Sequence, residues 1–429
     1  MIGLLAGPAA EAYIAGLRLR NGASRKAAER SVEKTLRDVR KRRDLAVMDA
    51  TARFDGCHLR PEEFRIPEDY LKKLARKADA QWMKALRRSA ANIRAFHQRQ
   101  VEKSWKTGRR DCFQGQIVRA LHAVGVYVPG GKAAYPSTLL MTVIPAQIAG
   151  VGRVAVVSPP ASFESHPALA ATCVELGVRE VYRVGGAQAI AALAYGTQTI
   201  PRVDKIVGPG NMFVALAKQK VFGCVDIDMI AGPTEVVVIA EEGTPASYVA
   251  ADMLAQAEHD EEAVSVCITT SEPLARSVIR QLQEQAQHLT RRQIVRRALD
   301  EHGALLLAES PQQAIDWANE LAPEHLQLMV DDEEPYLSRI TNAGAVFVGR
   351  YTPEPVGDYW AGPSHVLPTG GTARYSSPLG VYDFLKRTSV IKYSRDALKS
   401  ASPHIQRLAM AEGLQAHARA VAVRFEKKS

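Results

Sequence analysis

Two textures of apolar and polar positions divide the chain. Over roughly the first hundred residues apolar side chains recur every three or four positions among charged ones, as in "YLKKLARKADAQWMKALRRSAANIRAFHQRQ" (70–100). That is the period of amphipathic helices. Ser24 or Ser31 are candidate caps, and "RFDGCHLRPEEF" (53–64) reads as a loop. Beyond about Gln114 short β-branched runs alternate with helical stretches. "RVAVVS" (153–158), "REVYRV" (179–184), "VDKIVG" (203–208) and "EVVVIA" (235–240) form a first set of strands; "VSVCIT" (264–269), "ALLLA" (304–308), "HLQLMV" (325–330) and "AVFVG" (345–349) form a second. Strands alternating with helices require crossover connections and mostly parallel sheets. The pattern therefore predicts an α/β fold of two similar lobes with a cleft between them. The expected boundaries are an N-terminal arm (1–20), one lobe with the N-terminal helices (21–126 and 236–380), another lobe (127–235) and a mostly helical tail (381–429) that must pack on something.

Composition narrows the class. A chain of 429 residues suggests two or three domains. No stretch approaches the roughly 20 apolar residues of a membrane span, and the apolar start "MIGLLAGPAAEAYIAGLRLR" lacks the basic region of a secretory signal. The five cysteines (57, 112, 173, 224 and 267) are scattered, with no C-x-x-C. This usage fits a reducing compartment and no thiolate zinc site; the expected location is cytoplasmic. Net charge is +9, but residues 1–110 carry +14 and the remainder −5. A basic helical quarter could bind nucleic acid. Here the basic residues are interleaved with periodic apolar ones, so a solvated helix face is the preferred reading.

Several places could carry chemistry. In "LAPEHLQL" (321–328), Glu324 and His325 sit where a helix stopped by Pro323 meets a strand. Neighbours at such a boundary can both reach one cleft, although a chance solvated pair would read the same. Glycine-rich turns in "VPGG" (128–131), "VGGAQA" (184–189) and "VGPGNMF" (207–213) place flexible backbone at strand ends before helices, where N–H groups can meet an anion. None matches G-x-G-x-x-G. In "TPASYVAADMLAQAEHD", Thr244 is a candidate cap with Pro245 at the first helical position. Gln256 and His259 then lie three apart on one helix face, a spacing that can chelate a metal such as zinc. A helix-terminal histidine meeting the dipole is the plainer alternative. "VGDYWAGPSHVLPTGGTARYSSPLGVYDFLKR" puts Asp358 and His365 in a long Gly/Pro-rich loop, the kind that is usually functional. "AEGLQAHARAV" puts Glu412 and His417 five apart on a helix, offset by about 140°.

Seven motifs in order, "YVPGG", "GPGN", "AGPTEVVVIA", "AQAEHD", "APEHL", "GDYWAGPSHVLPTGGTARYSS" and "EGLQAHARAV", give the chain a resemblance to histidinol dehydrogenase over nearly its whole length. The resemblance implies a zinc enzyme that uses two NAD in succession to oxidise L-histidinol through an enzyme-held aldehyde to L-histidine, the last step of histidine biosynthesis. It implies two incomplete Rossmann-like lobes, with the NAD site on the 127–235 side. It also implies a homodimer whose tail is swapped onto the partner subunit.

Carried over residue by residue, Gln256, His259, Asp358 and His417 match the zinc ligands, and Glu324 and His325 the catalytic pair. The zinc-binding and catalytic residues also belong to the substrate-binding set, which adds Thr234, His365 and Glu412. Tyr127, Gln188 and Asn211 match the NAD site. Thr234 departs from an expected Ser but keeps the hydroxyl, and Ser364 stands where Asn is familiar. Histidine, titrating near neutrality, suits the repeated proton transfers of two oxidations, and a carboxylate suits water activation. A related zinc- and NAD-dependent dehydrogenase acting on another small alcohol is the alternative. A zinc hydrolase would leave the glycine turns unexplained, and a nucleic-acid module the ligand set. No nucleic-acid or membrane partner is expected.

Overall fold

The alternation of β-branched runs and helices resolves into two parallel sheets built on one strand order. The computed structural model describes residues 2–18, 25–130 and 135–426. In chain order the strands are β1 (Gly3–Ala6), β2 (Trp105–Arg109), β3 (Cys112–Ala120), β4 (Ala123–Tyr127), β5 (Arg153–Ser158), β6 (Glu180–Arg183), β7 (Lys205–Val207), β8 (Asp226–Ile227), β9 (Glu235–Ala240), β10 (Val264–Thr269), β11 (Gly303–Leu307), β12 (His325–Met329), β13 (Ala345–Val348) and β14 (Leu385–Lys392). One parallel sheet runs β6-β5-β4-β7-β8 and the other β1-β11-β10-β9-β12-β13. With β1 set aside, each reads 3-2-1-4-5 in its own strand sequence. The strand order therefore reverses between β4 and β7 in one sheet and between β9 and β12 in the other.

The run "EVVVIA", grouped above with the first set, is β9 and lies at the centre of the second sheet. A continuous apolar run marks a strand covered on both faces but does not say by which neighbours. Here Val236 and Val238 pack on Val249 and Met253 of helix Ala246–Ala257, while Val237 and Ile239 pack on Ile315 and Ala318 of helix Pro311–Leu321. The five-stranded sheet is covered in the same way. Val124 and Val126 face Leu140 and Ile144 of helix Pro136–Ala149, and Ala123 and Tyr127 face Ala189 and Leu193 of helix Gly186–Tyr195.

The N-terminal helices follow their apolar stripes. In helix Arg25–Arg42, Ala28, Val32, Leu36 and Val39 are buried in the cluster that includes helix Gly186–Tyr195. Ser31 lies inside this helix and does not cap it, and Ser24 falls outside the described residues. Helix Ala80–His97 is capped by Asp79, which accepts from Trp82 N. No helix among the described residues is long and apolar enough to cross a membrane.

The chain divides into two units, Met1–Gln100 with Leu121–Phe384, and Val101–Ala120 with Leu385–Ser429. The smaller unit holds an antiparallel sheet, β14-β3-β2, followed by helices Arg395–Ala411 and Gln415–Ala422. The end of the chain is thus less purely helical than its sequence predicts. It begins with an eight-residue strand, and its first helix is capped by Ser394, which accepts from Ala397 N.

Candidate active site

Helix Pro311–Leu321 ends with Ala322 in the left-handed region (φ 48°) and is followed by Pro323, which cannot continue it; β12 begins two residues later. Ala345 N donates to Glu324 O (2.9 Å), and His325 stands in register between Val236 and Ala345. Both side chains therefore occupy the amino end of the six-stranded sheet. Both are buried, Glu324 8% and His325 4% exposed, which excludes the solvated-pair alternative. Glu324 Oε2 accepts from Thr234 Oγ1 (2.5 Å) and Glu235 N (3.0 Å). Burial pushes its carboxyl up to about 8, with those two hydrogen bonds pulling the other way and Asp358 adding to the rise. Burial pushes His325 down to about 4, against the influence of Asp358. His325 Nδ1 lies 3.0 Å from Glu235 O. A carbonyl only accepts, so the proton sits on Nδ1 and Nε2 carries the lone pair.

Thr234 Oγ1 also lies 2.5 Å from the Gln256 amide. A hydroxyl has one proton, so this relay has two settings. With Glu324 ionised, Gln256 Nε2 donates to Thr234 and Thr234 to Glu324. With Glu324 protonated, the carboxyl donates to Thr234 and Thr234 to the oxygen of the turned amide. The amide nitrogen then donates to Glu354 Oε2 (2.7 Å).

Glu354 was not anticipated from the sequence. It is 2% exposed, on the short helix Glu354–Tyr359, with Oε1 4.0 Å from His325 Nε2. Burial, then the neighbouring Asp358, Glu324 and Asp252 carboxyls, hold it far above the usual carboxylate range. Asp358 stands on the same helix, not in a loop as expected, and its Oδ1 faces His365 Nδ1 at 3.6 Å. Burial would raise Asp358, but the imidazoles of His365, His325 and His259 outweigh it and hold the carboxyl low.

Helix Ala246–Ala257 ends before His259, which lies on the following turn, where His259 N donates to Gln256 O (3.2 Å). At the other end Pro245 takes the cap position, and the Thr244 hydroxyl donates to Met329 O (3.0 Å) instead of capping. Ligand atoms of His259, Glu354 and Asp358 lie within 4.8 Å of one another, and His259 Nδ1 is buried without a hydrogen-bond partner. One imidazole and clustered acids at this spacing fit a zinc ion. The cluster also explains how so many carboxyls can be buried together, since a cation would offset their mutual repulsion.

Glu412 and His417 belong to the smaller unit. They do not share a helix: helix Arg395–Ala411 stops at Glu412, Gly413 turns with φ 75°, and a new helix starts at Gln415.

The three glycine turns meet at the carboxyl end of the five-stranded sheet, where a cavity of about 550 Å³ is lined by Tyr127, Gly130, Gly186, Gln188 and Asn211 among others. Gly186 N donates to Tyr127 Oη (3.1 Å), and Asn211 Oδ1 accepts from Val214 N (3.2 Å), capping helix Met212–Val221. Gly208, with φ 107°, lies where a Cβ would collide with the Tyr127 carbonyl. Its turn is clamped from beneath: Gly208 N donates to Asp228 Oδ2 (2.7 Å), and the buried Lys218 donates to Gly208 O (2.9 Å) and pairs with Asp228. An open cavity at the point of strand-order reversal is the usual seat of a nucleotide in such sheets. Tyr127, Gln188 and Asn211, drawn from three separate segments, all line it, and the residues present fit a dinucleotide.

Residues 18–425 match the profile of the family described as histidinol dehydrogenase. The chain is 51% identical to a histidinol dehydrogenase of Geobacillus kaustophilus over 400 residues, covering 93% of this chain and 94% of that one. It is 46% identical to one of Bacillus cereus over 401 residues, 93% of each. The crystal structure of histidinol dehydrogenase from Elizabethkingia anophelis superposes with a TM-score of 0.92 at 34% identity, covering 99% of this chain and 98% of that one. With the sheet order, the Glu324–His325 junction and these matches together, the chain belongs to the histidinol dehydrogenase family, oxidoreductases of histidine biosynthesis.

Proposed function

We propose that the chain carries out the zinc-dependent, NAD-linked four-electron oxidation of L-histidinol to L-histidine through histidinal. The observation that carries this reading is the buried Glu324–His325 pair beside the His259, Glu354 and Asp358 cluster. When bound, zinc held by Gln256, His259, Asp358 and His417 orients the substrate's amine and imidazole, and NAD accepts the electrons of each oxidation. His325 Nε2, left unprotonated by the Nδ1–H bond to Glu235 O, takes the hydroxyl proton in each oxidation. Glu324 takes a proton from the water that adds to the aldehyde. Thr234 and the Glu235 N–H stabilise its ionised form, the form that can take that proton. Thr234, His365 and Glu412 contact the substrate. Tyr127, Gln188 and Asn211 hold NAD at the five-stranded sheet.

The experiment is stoichiometric. Purified zinc-loaded protein should yield two NADH per histidinol, and a chelator should abolish the yield. One NADH per substrate with free aldehyde accumulating would refute the reading.

The same reading makes the protein a homodimer with shared sites, Glu412 and His417 completing the site of the partner. Support comes from the smaller unit, where Ile391, Leu408 and Met410 are exposed apolar side chains of the kind an interface covers. Co-refolding inactive His325→Asn and His417→Ala chains should restore activity, because heterodimers then hold one intact site. Verified heterodimers without activity would mean that each chain builds its site alone.

A further inference from the structure

We propose that Asp55 selects the dinucleotide, binding the adenosine ribose diol and excluding a ribose that carries a 2′-phosphate. The inference rests on the NAD reading above and adds the residue that discriminates.

The cavity at the five-stranded sheet is lined by none of Glu324, His325, Gln256, His259 or Asp358. The reacting ring must reach His325, so this cavity holds the end of the dinucleotide remote from the chemistry, the adenosine. Its walls suit that end. Phe54 and Phe213 line it with 51% and 41% of their surface exposed, offering aromatic faces for a purine.

In a sheet of this strand order the acid that binds the ribose 2′-hydroxyl usually stands at the carboxyl end of the second strand. Here that strand is β5, and the chain leaving it reads Ser158, Pro159, Pro160, with no carboxylate. Pro159 and Pro160 nevertheless line the cavity. The one carboxylate among the described lining residues comes from outside the sheet. It is Asp55, the last residue of helix Asp44–Asp55.

That position is unfavourable for an anion, because a helix C-terminus carries partial negative charge. Something specific holds Asp55 there. Gln188, 1% exposed, donates from Nε2 to Asp55 Oδ2 (3.1 Å), which orients the carboxylate and leaves Oδ1 for a hydroxyl. No Lys or Arg occurs among the described lining residues; His166 is the one lining side chain there that can carry positive charge, and Asp55 would repel a 2′-phosphate.

The test measures NAD and NADP binding to the zinc-loaded protein by calorimetry, for wild type, Asp55→Asn and Asp55→Ala. Because Asp55 is exposed, both variants should fold, and thermal melting checks this. Wild type should prefer NAD. Asp55→Ala should lose about 10- to 100-fold in NAD affinity, the usual weight of a hydrogen bond to a charged group, and the NAD/NADP ratio should fall with it. Asp55→Asn, which keeps the shape without the charge, should gain NADP affinity. An unchanged ratio in both variants, with wild type still yielding two NADH per histidinol, would overturn the role of Asp55 alone. Wild type that binds neither dinucleotide would overturn the role and the NAD reading together.

Discussion

The two sheets of the larger unit share one strand order and are used at opposite ends. The five-stranded sheet opens a cavity at the carboxyl ends of β4 and β7. The six-stranded sheet gathers Thr234, Glu324 and His325 at the amino ends of β9 and β12. Its carboxyl end at the equivalent reversal is filled by its own hydrogen bonds: Glu241 accepts from Asp331 N (2.9 Å) and Tyr336 Oη (2.9 Å), and Thr244 Oγ1 donates to Met329 O (3.0 Å). Strand order alone therefore does not locate a site. What differs is the residues that enter and leave the central strands: glycine turns after β4 and β7, and a proline-stopped helix before β12.

The largest test of this contrast removes the imidazole proposed as base at the amino end. His325→Asn should slow both oxidations by about 10²- to 10⁴-fold. Glu324→Gln should chiefly slow the oxidation of supplied histidinal, as single-turnover NADH traces can separate. Normal histidinal oxidation by Glu324→Gln would remove the water-activating role from that residue.

Next in size, Glu354→Gln should weaken zinc retention by about 10- to 100-fold, read by chelator competition, since it touches the ligand cluster from within. NAD affinity, proposed to be set at the other sheet, should stay the same. Unaltered zinc affinity would take Glu354 out of the metal cluster.

A smaller effect appears in the pH dependence of stability of metal-free protein. His325 is lowered from 6.5 to about 4, so the unfolded chain binds a proton that the folded state refuses, and stability falls as pH drops from about 6.5 to 4. Glu324 is raised from 4.5 to about 8, so the folded state keeps a proton that the unfolded chain has released, and stability falls as pH rises from about 4.5 to 8. His325→Asn should flatten the acid-side loss and Glu324→Gln the opposing one, in melting curves across that range. Smallest of all, Tyr336→Phe should cost about 1 kcal/mol of stability through its lost bond to Glu241, with NAD affinity unaltered. A change in NAD binding there would mean that the two sheets are coupled.

Much of this was legible in the sequence, and the failures have physical causes. Strands covered on both faces, such as β5, β9 and β10, are continuous β-branched runs and stand out. In β2 all five residues are exposed, and six of the eight in β14 are. With no buried face to impose alternation, neither strand leaves a pattern. Glu324, His325, Gln256, His259, Asp358 and His365 could be found because whole motifs surround them. Glu354 sits between two prolines in "TPEPVGD", which reads as a surface turn. The available signal was its place four residues before Asp358, on the same face of any helix there. Asp55 was absorbed into a loop, although it closes a helix.

The cavity and the proton machinery also differ in when they can exist. Every described residue lining the cavity lies between Ser31 and Phe213, and the apolar cluster beneath it draws only on residues 28 to 225. Thr234 and Glu324, by contrast, meet across 90 positions, and β13 is not reached until residue 345. A ribosome delivers the first set on the order of ten seconds before the second. During synthesis every described residue that lines the cavity is therefore present while the chain that will carry His325 is still unmade, whereas the opposite face of the same sheet must wait for Val366, Leu379 and Phe384.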